Sequence, residues 1–100
     1  MDPLFSVVIV NWNTRELLLN CVQSIYDNTT EKNYDIWVVD NASSDSSVEA
    51  LRAKFPAVKV VASETNLGFA GGNNLALEKI TAKYALLLNT DTLVKPNAFD

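Results

Sequence analysis

Four apolar runs punctuate the chain at residues 5–10 (FSVVIV), 34–39 (YDIWVV), 58–62 (VKVVA) and 84–88 (YALLL). They are rich in β-branched and aliphatic residues, and the first lacks polar alternation, the mark of a strand buried on both faces. Helical periodicity fills the gaps. Leu18, Val22, Ile25 and Tyr26 fall on one stripe with Leu17 and Cys21 beside it. Val48, Leu51 and Phe55 form a second stripe, and Leu75, Leu77 and Ile80, among Ala76 and Ala82, a third. Asn13 and Ser46 each stand three residues before a glutamate (Glu16, Glu49), close to the capping-box spacing. Pro56 stops the second helix. The resulting order, β-α-β-α-β-α-β, predicts a parallel sheet with helices on both faces, a three-layer α/β/α sandwich. Right-handed crossovers then favour the strand order 3-2-1-4, with the switch point between strands 1 and 4.

In open parallel sheets a ligand binds beyond the carboxyl ends of the strands, beside the switch point. Four polar strand exits converge there: Asn11-Trp12-Asn13, residues 40–43 (DNAS), residues 64–68 (ETNLG) and Asn89-Thr90-Asp91. Asparagine and aspartate also suit turns, so the information lies in having four such exits on one rim. Asp91 follows a nearly unbroken apolar strand, and it fits either a ligand to Mg2+ or Mn2+ or a turn aspartate capping the next segment. Asp40 ends its strand in the same way, and its carboxylate fits a ribose or base contact as well as a self-capping loop. Asn41 offers both a donor and an acceptor, suited to the edge of a pyrimidine. Asp45, just before the second helix, fits capping better than ligand binding. The only three glycines, Gly68, Gly71 and Gly72, lie within five residues and lead into the third helix. Glycines allow close backbone approach and a helix N-terminus favours anions, but a flexible loop is an equally ordinary use. The spacing is neither a dinucleotide fingerprint nor a P-loop. Trp12 fits stacking on a base or half-buried packing, and Trp37 reads as core.

Composition narrows the chemistry. One hundred residues suffice for one small domain, and a 48% apolar, 20% charged make-up is that of a soluble globular protein. A formal charge of -4 without a basic cluster argues against nucleic acid or an anionic membrane as the main partner. The absence of histidine excludes a Ser-His-Asp triad, a histidine metal site and a histidine general base within these residues. Cys21 is the one cysteine, mid-helix among apolar neighbours, and reads as a buried structural thiol. The run at 4–10 is too short to span a bilayer and lacks the flanks of a signal peptide.

Taken in order, these segments resemble family 2 glycosyltransferases with the Rossmann-like GT-A fold, across essentially the whole chain. Residues 6–13 (SVVIVNWN) resemble the opening strand and its exit, 38–45 (VVDNASSD) the second strand and nucleoside loop, and 66–74 (NLGFAGGNN) the loop and helix of the rhamnosyltransferase-like branch. Residues 88–92 (LNTDT) stand where the family carries D-x-D. The resemblance implies an inverting transferase that moves sugar from a UDP- or dTDP-sugar to a saccharide or lipid-linked acceptor, with Mg2+ or Mn2+ as cofactor. By the same resemblance Val10, Asn11 and Trp12 line the base pocket, and Asp40 and Asn41 hold the uracil or thymine ring and ribose. Asn66, Gly68 and Phe69 flank the nucleotide, Asn73 or Asn74 reaches toward it, and Asp91 ligates the metal beside Asn89. Two departures stand out: Asn89 replaces the first aspartate of D-x-D, and Asn41 the second of the commoner acidic pair. The family's general base lies on the acceptor side, expected beyond residue 100, so the chain reads as the nucleotide-sugar-binding N-terminal part, residues 1–100, of a longer, cytoplasmic protein at the inner face of the membrane. A sheet edge left bare at the fourth strand implies self-association. Two other classes compete: a non-catalytic nucleotide-binding or protein-interaction module with the same fold, and a flavodoxin-like signalling domain. The latter wants acidic residues where Asn11 and Asn13 stand.

Overall fold

The computed structural model describes residues 3–29 and 33–90. Seven elements follow in the expected order: β1 (Phe5–Asn11), α1 (Arg15–Asn28), β2 (Tyr34–Asn41), α2 (Ser47–Lys54), β3 (Lys59–Ser63), α3 (Gly68–Leu77) and β4 (Tyr84–Asn89). The strands form one parallel sheet of order β3-β2-β1-β4, as the alternation predicts. The register pairs Phe5 with Tyr34 and with Tyr84, and Trp37 with Lys59. The carboxyl ends of all four strands therefore finish on one rim.

Alternation along β1 divides the core in two. Phe5, Val7 and Ile9 point to one face, where Leu18, Cys21, Val22 and Ile25 of α1 and Leu51 of α2 close over them. Val8 points to the other, meeting Val39 and Ala76 of α3, with Val10, Trp37 and Val61 at the margin. Burying this apolar surface at about 25 cal/mol per Å² is what holds the layers together. The thiol of Cys21 is fully buried, as expected, and lies 3.8 Å from the Asn89 carbonyl oxygen.

Three local expectations differ. Leu17 is 45% exposed, because the α1 stripe that faces the sheet is the one through Leu18, Cys21, Val22 and Ile25. Tyr26 is also largely exposed, yet its ring stacks on Phe55 at 5.6 Å between centroids. Trp37 is only partly buried. It stands toward the amino-terminal half of the sheet, where its indole Nε1–H donates to Asp35 at 3.0 Å and Lys59 lies 5.1 Å over its ring. Asp35 also accepts from Ser6 and pairs with Lys59 at 3.1 Å. This polar cluster finishes the α3 face where helix no longer covers it.

Among the described residues β4 pairs with β1 alone, and Tyr84 and Leu87 are 57% and 47% exposed. No described helix is long and apolar enough to cross a membrane.

Candidate functional site

The rim begins with Asn11, the last residue of β1 and wholly buried. A buried amide left unbonded costs free energy, so its partners define the local structure. Register places it opposite Asp40, and its Nδ2 donates to Asp40 Oδ1 at 2.8 Å and to Ser43 Oγ at 3.2 Å. Its Oδ1 accepts from Thr14 Oγ1 at 2.7 Å. Since a hydroxyl carries one proton, the 3.0 Å contact between Thr14 Oγ1 and Thr90 Oγ1 is donated by Thr90. A continuous polar spine thus runs from the end of β2 through β1 and the start of α1 to the residue after β4.

Asp40 is 4% exposed and both its oxygens are engaged. Ser43 donates its hydroxyl to Oδ1 at 2.6 Å and its backbone N–H to Oδ2 at 3.0 Å. The two loops are also bonded to each other. Asn13 N–H donates to Ser43 Oγ at 2.9 Å, and Asn13 Oδ1 accepts from the Ser44 N–H at 2.7 Å. Asn13, Ala42 and Ser46, in the two loops, lie in the left-handed region, with φ of 51°, 63° and 63°. A non-glycine residue is uncommon there and persists only where its surroundings fix it.

The capping boxes expected from Asn13 and Ser46 do not form: neither α1 nor α2 has a side-chain cap bond from its N-cap residue. Asp45 serves both helices instead. Its carboxylate accepts from the Arg15 N–H at 3.0 Å and the Ser47 N–H at 3.1 Å, and from the Ser47 hydroxyl. One carboxylate on two helix N-termini is electrostatically favourable at both.

The opposite wall is α3 and the loop before it. Asn41, 2% exposed, spends its amide on that loop's backbone, accepting from the Leu67 N–H at 3.3 Å and donating to the Gly68 carbonyl at 3.0 Å. Gly68 has φ 75°, natural for glycine alone, and its N–H is bonded to Asn66 Oδ1 at 2.8 Å. A Cβ on Gly72 would lie 2.9 Å from Val10 Cγ1, so the helix backbone rests directly on the end of β1. Phe69 and Trp12 are 51% and 55% exposed, two rings standing free on the rim. Asn66, Asn74 and Asn89 are exposed as well. Asn73 is 4% exposed and its Oδ1 is buried without a hydrogen-bond partner.

The structure thus gathers Val10, Asn11, Trp12, Asp40, Asn41, Gly68 and Thr90 at one end of the sheet. Asp91, the expected metal ligand, lies outside the described residues. Among the described residues no group of three or more His, Cys, Asp and Glu is placed to hold a metal ion. The oxygens of Asp40 are committed to Asn11 and Ser43, so the described rim does not itself offer a divalent-cation site. What it does offer is exposed ring faces for stacking, and the N–H groups of Phe69 and Ala70 in the first turn of α3, since Asn66 Oδ1 takes the Gly68 N–H and the N-cap Leu67 supplies no side chain for the next two.

Comparison with known proteins fits this geometry. The family model for Glycosyl transferase family 2 matches residues 6–100. Glycosyltransferase GlyG of Streptococcus pneumoniae serotype 4 is 31% identical over 103 residues, taking in 100% of this chain and 34% of that protein. The mannosyltransferase PcManGT from Pyrobaculum calidifontis, solved with GDP-Man and Mn2+, superposes with a TM-score of 0.84 at 25% identity, covering 93% of this chain and 29% of that one. S. aureus TarS 1-349 in complex with UDP gives 0.74 at 29% identity, covering 91% of this chain and 28% of that one. The fold these neighbours share is GT-A. The chain spans between about an eighth and about a third of the length of the curated relatives it matches.

Asp45 generates a pH prediction. Partial desolvation pushes its carboxyl up, but hydrogen bonds from the Ser47 hydroxyl and the backbone N–H groups of Arg15, Ser47 and Asp45 itself outweigh this and hold it below the ordinary range. A depressed folded value means stabilisation that is present above the ordinary carboxylate range and is lost as pH falls through the folded value. Urea unfolding between about pH 7 and about pH 3 should show an acid limb that Asp45→Asn flattens in part. An identical acid limb in both proteins would refute the double-cap role.

Proposed function

Because the chain belongs to glycosyl transferase family 2, we propose that its rim binds a nucleoside-diphosphate sugar as the donor half of an inverting glycosyltransferase. The carrying observation is that two exposed rings, Trp12 and Phe69, share one rim with the first turn of α3, where only the Gly68 N–H has a side-chain partner, and with a self-satisfied polar spine. Trp12 and Phe69 supply stacking surface for the nucleoside, beside Val10 and Asn11, and the α3 N–H groups attract the diphosphate. Asp40, Asn66, Gly68, Asn73, Asn74 and Asn89 complete the nucleotide wall, with Asn41 behind it on the Leu67–Gly68 backbone. The donor is a UDP- or dTDP-sugar, in keeping with the UDP complex of TarS. Asp91 is the proposed ligand for Mg2+ or Mn2+, a cation that would offset the charge of the leaving diphosphate; the Mn2+ in the PcManGT complex supports a divalent metal. The rhamnosyltransferase-like pattern of residues 66–74 is the reason to place the chain in that branch.

In the reaction so read, an acceptor hydroxyl attacks the anomeric carbon as the bond from that carbon to the diphosphate breaks, and the hydroxyl proton passes to a general base. That base is assigned outside this chain: there is no histidine here, and Asp40 and Asp45 are held in internal bonds. Polysaccharide synthesis at the cytoplasmic face of the membrane is the setting this chemistry suits.

Calorimetry is the direct test. UDP or dTDP should bind, and Mn2+ or Mg2+ should raise the affinity by about tenfold or more, the scale of one charge-assisted contact. Asp91→Ala should remove that rise while leaving metal-free binding unchanged. A metal effect that survives the substitution would clear Asp91 of the role, and no nucleotide binding at all would favour a non-catalytic module.

Transfer and assembly give two further readouts. With radiolabelled donor and a panel of acceptors, the 100-residue chain should show no turnover. A missing positioned base alone costs about 10²–10⁴-fold, so robust turnover would locate the base within these residues. The β4 edge, which no other described strand pairs and where Tyr84 and Leu87 are exposed, should pair with a second copy. Light scattering at rising concentration should then show mass increasing beyond the monomer, and a strictly monomeric sample would count against it.

A further inference from the structure

The loop from β3 to α3 is bonded mostly to itself. Ser63 Oγ donates to the Thr65 carbonyl at 2.7 Å and Asn66 Oδ1 accepts from the Gly68 N–H at 2.8 Å. Its tie to the neighbouring strand is Asn41, through the 3.3 Å bond from Leu67 N–H and the 3.0 Å bond to the Gly68 carbonyl. Asn41 meets α3 a second time further along, where a Cβ on Gly72 would stand 3.2 Å from Asn41 Nδ2. One buried side chain at the end of β2 therefore bonds the turn that starts α3 and, beside Val10, also meets the helix at Gly72.

We propose that Asn41 is a positioning residue for the nucleotide site: it latches the Leu67–Gly68 turn, and so fixes Phe69 and the N–H groups at the start of α3, without touching the nucleotide itself. The proposal rests on the nucleotide reading of the rim. Its chemistry depends on an amide. Only a group with both a donor and an acceptor can take the Leu67 N–H and give to the Gly68 carbonyl at once. A carboxylate at this position would keep the first bond, lose the second and set an oxygen against a carbonyl oxygen. Asn41 is 2% exposed, so that loss would not be made good by water.

Amide exchange by NMR in the nucleotide-free chain, paired with titration of UDP, tests this. Asn41→Asp and Asn41→Ala should each speed exchange at Leu67 by about tenfold and weaken UDP by a similar factor, on the scale of one or two lost hydrogen bonds. Exchange at Val38 and Val39 in the core should stay as it was. By reciprocity, saturating UDP should slow Leu67 exchange in Asn41→Ala again, which a purely structural lesion would not show. Should the Asn41 variants fail to fold, Gly68→Ala loosens the same turn from the other side. It forces a residue with a Cβ to φ 75° where nothing lies within 4 Å to clash, and the same pair of effects is expected. Weaker UDP binding with unchanged Leu67 exchange would mean that Asn41 contacts the nucleotide directly, and would overturn the proposal. Unchanged exchange and unchanged affinity would overturn it too. If Leu67 exchange responds while no form binds UDP, the nucleotide reading fails and the latch survives only as an element of the fold, so the two failures are distinguishable.

Discussion

The 2.8 Å hydrogen bond from Asn11 to Asp40 joins the carboxyl ends of the two central strands, and the rest of the rim is arranged around keeping both groups satisfied. A carboxylate and an amide are each almost fully withdrawn from water here, a state that is costly unless every lone pair and proton is used. Ser43 and Thr14 supply the missing partners. To do so the β2–α2 loop folds back over Asp40, and Thr14 must stand directly ahead of α1. The left-handed residues Ala42 and Ser46 are the conformational cost of that fold-back. The site loops are thus pinned from beneath, by buried polar groups, rather than from above by the ligand they face.

The strands and the sheet order were legible because strands buried on both faces leave an apolar signature that helices of this length do not. Residues 5–10 show it most plainly, and parallel crossovers follow from the elements between the strands. Residues 84–88 are as apolar in sequence, yet none of them is buried among the described residues, because β4 has β1 on one side alone. The helix starts were legible in place but not in mechanism. Asn13 and Ser46 have the right residue type and spacing for capping boxes, but at φ 51° and 63° their side chains are turned to other work. Asn13 holds Ser44, and Asp45 caps both helices. Local spacing shows what a residue can bond to nearby; it does not show a better partner thirty residues away. The exposure of Leu17 has a similar origin, since α1 turns its Leu18 face to the sheet.

The gathering of the polar exits on one candidate rim was legible for the same reason as the topology: four apolar strands each end in a polar residue, and parallel strands end together. Which of those residues face outward was not. Asn11, Asp40 and Asn41 look like ligand-binding groups in sequence, and the structure gives their side chains first to one another and to the loops. Pairing Asn11 with Asp40 needs the register, and pairing Asn41 with Leu67 and Gly68 needs the docking of α3. An asparagine that ends a buried strand beside an aspartate ending the next was the available signal for the polar spine.

A division of labour follows. Toward β1 and β2 the rim's side-chain hydrogen-bonding capacity is largely spent, and what remains there for a ligand is shape, backbone and the open ring of Trp12. Toward α3 part of the capacity is unspent. Asn66 takes the Gly68 N–H, but the next turn has no side-chain cap from Leu67, Phe69 stands open, and Asn73 keeps a buried carbonyl oxygen with no donor. A buried acceptor left in that state is a standing cost of the same order as a lost hydrogen bond. The fold tolerates it on the helix whose Gly72 lies against the end of β1. Rigidity is therefore concentrated on one side of the site and unsatisfied polarity on the other, with Asn41 the side chain that joins the two.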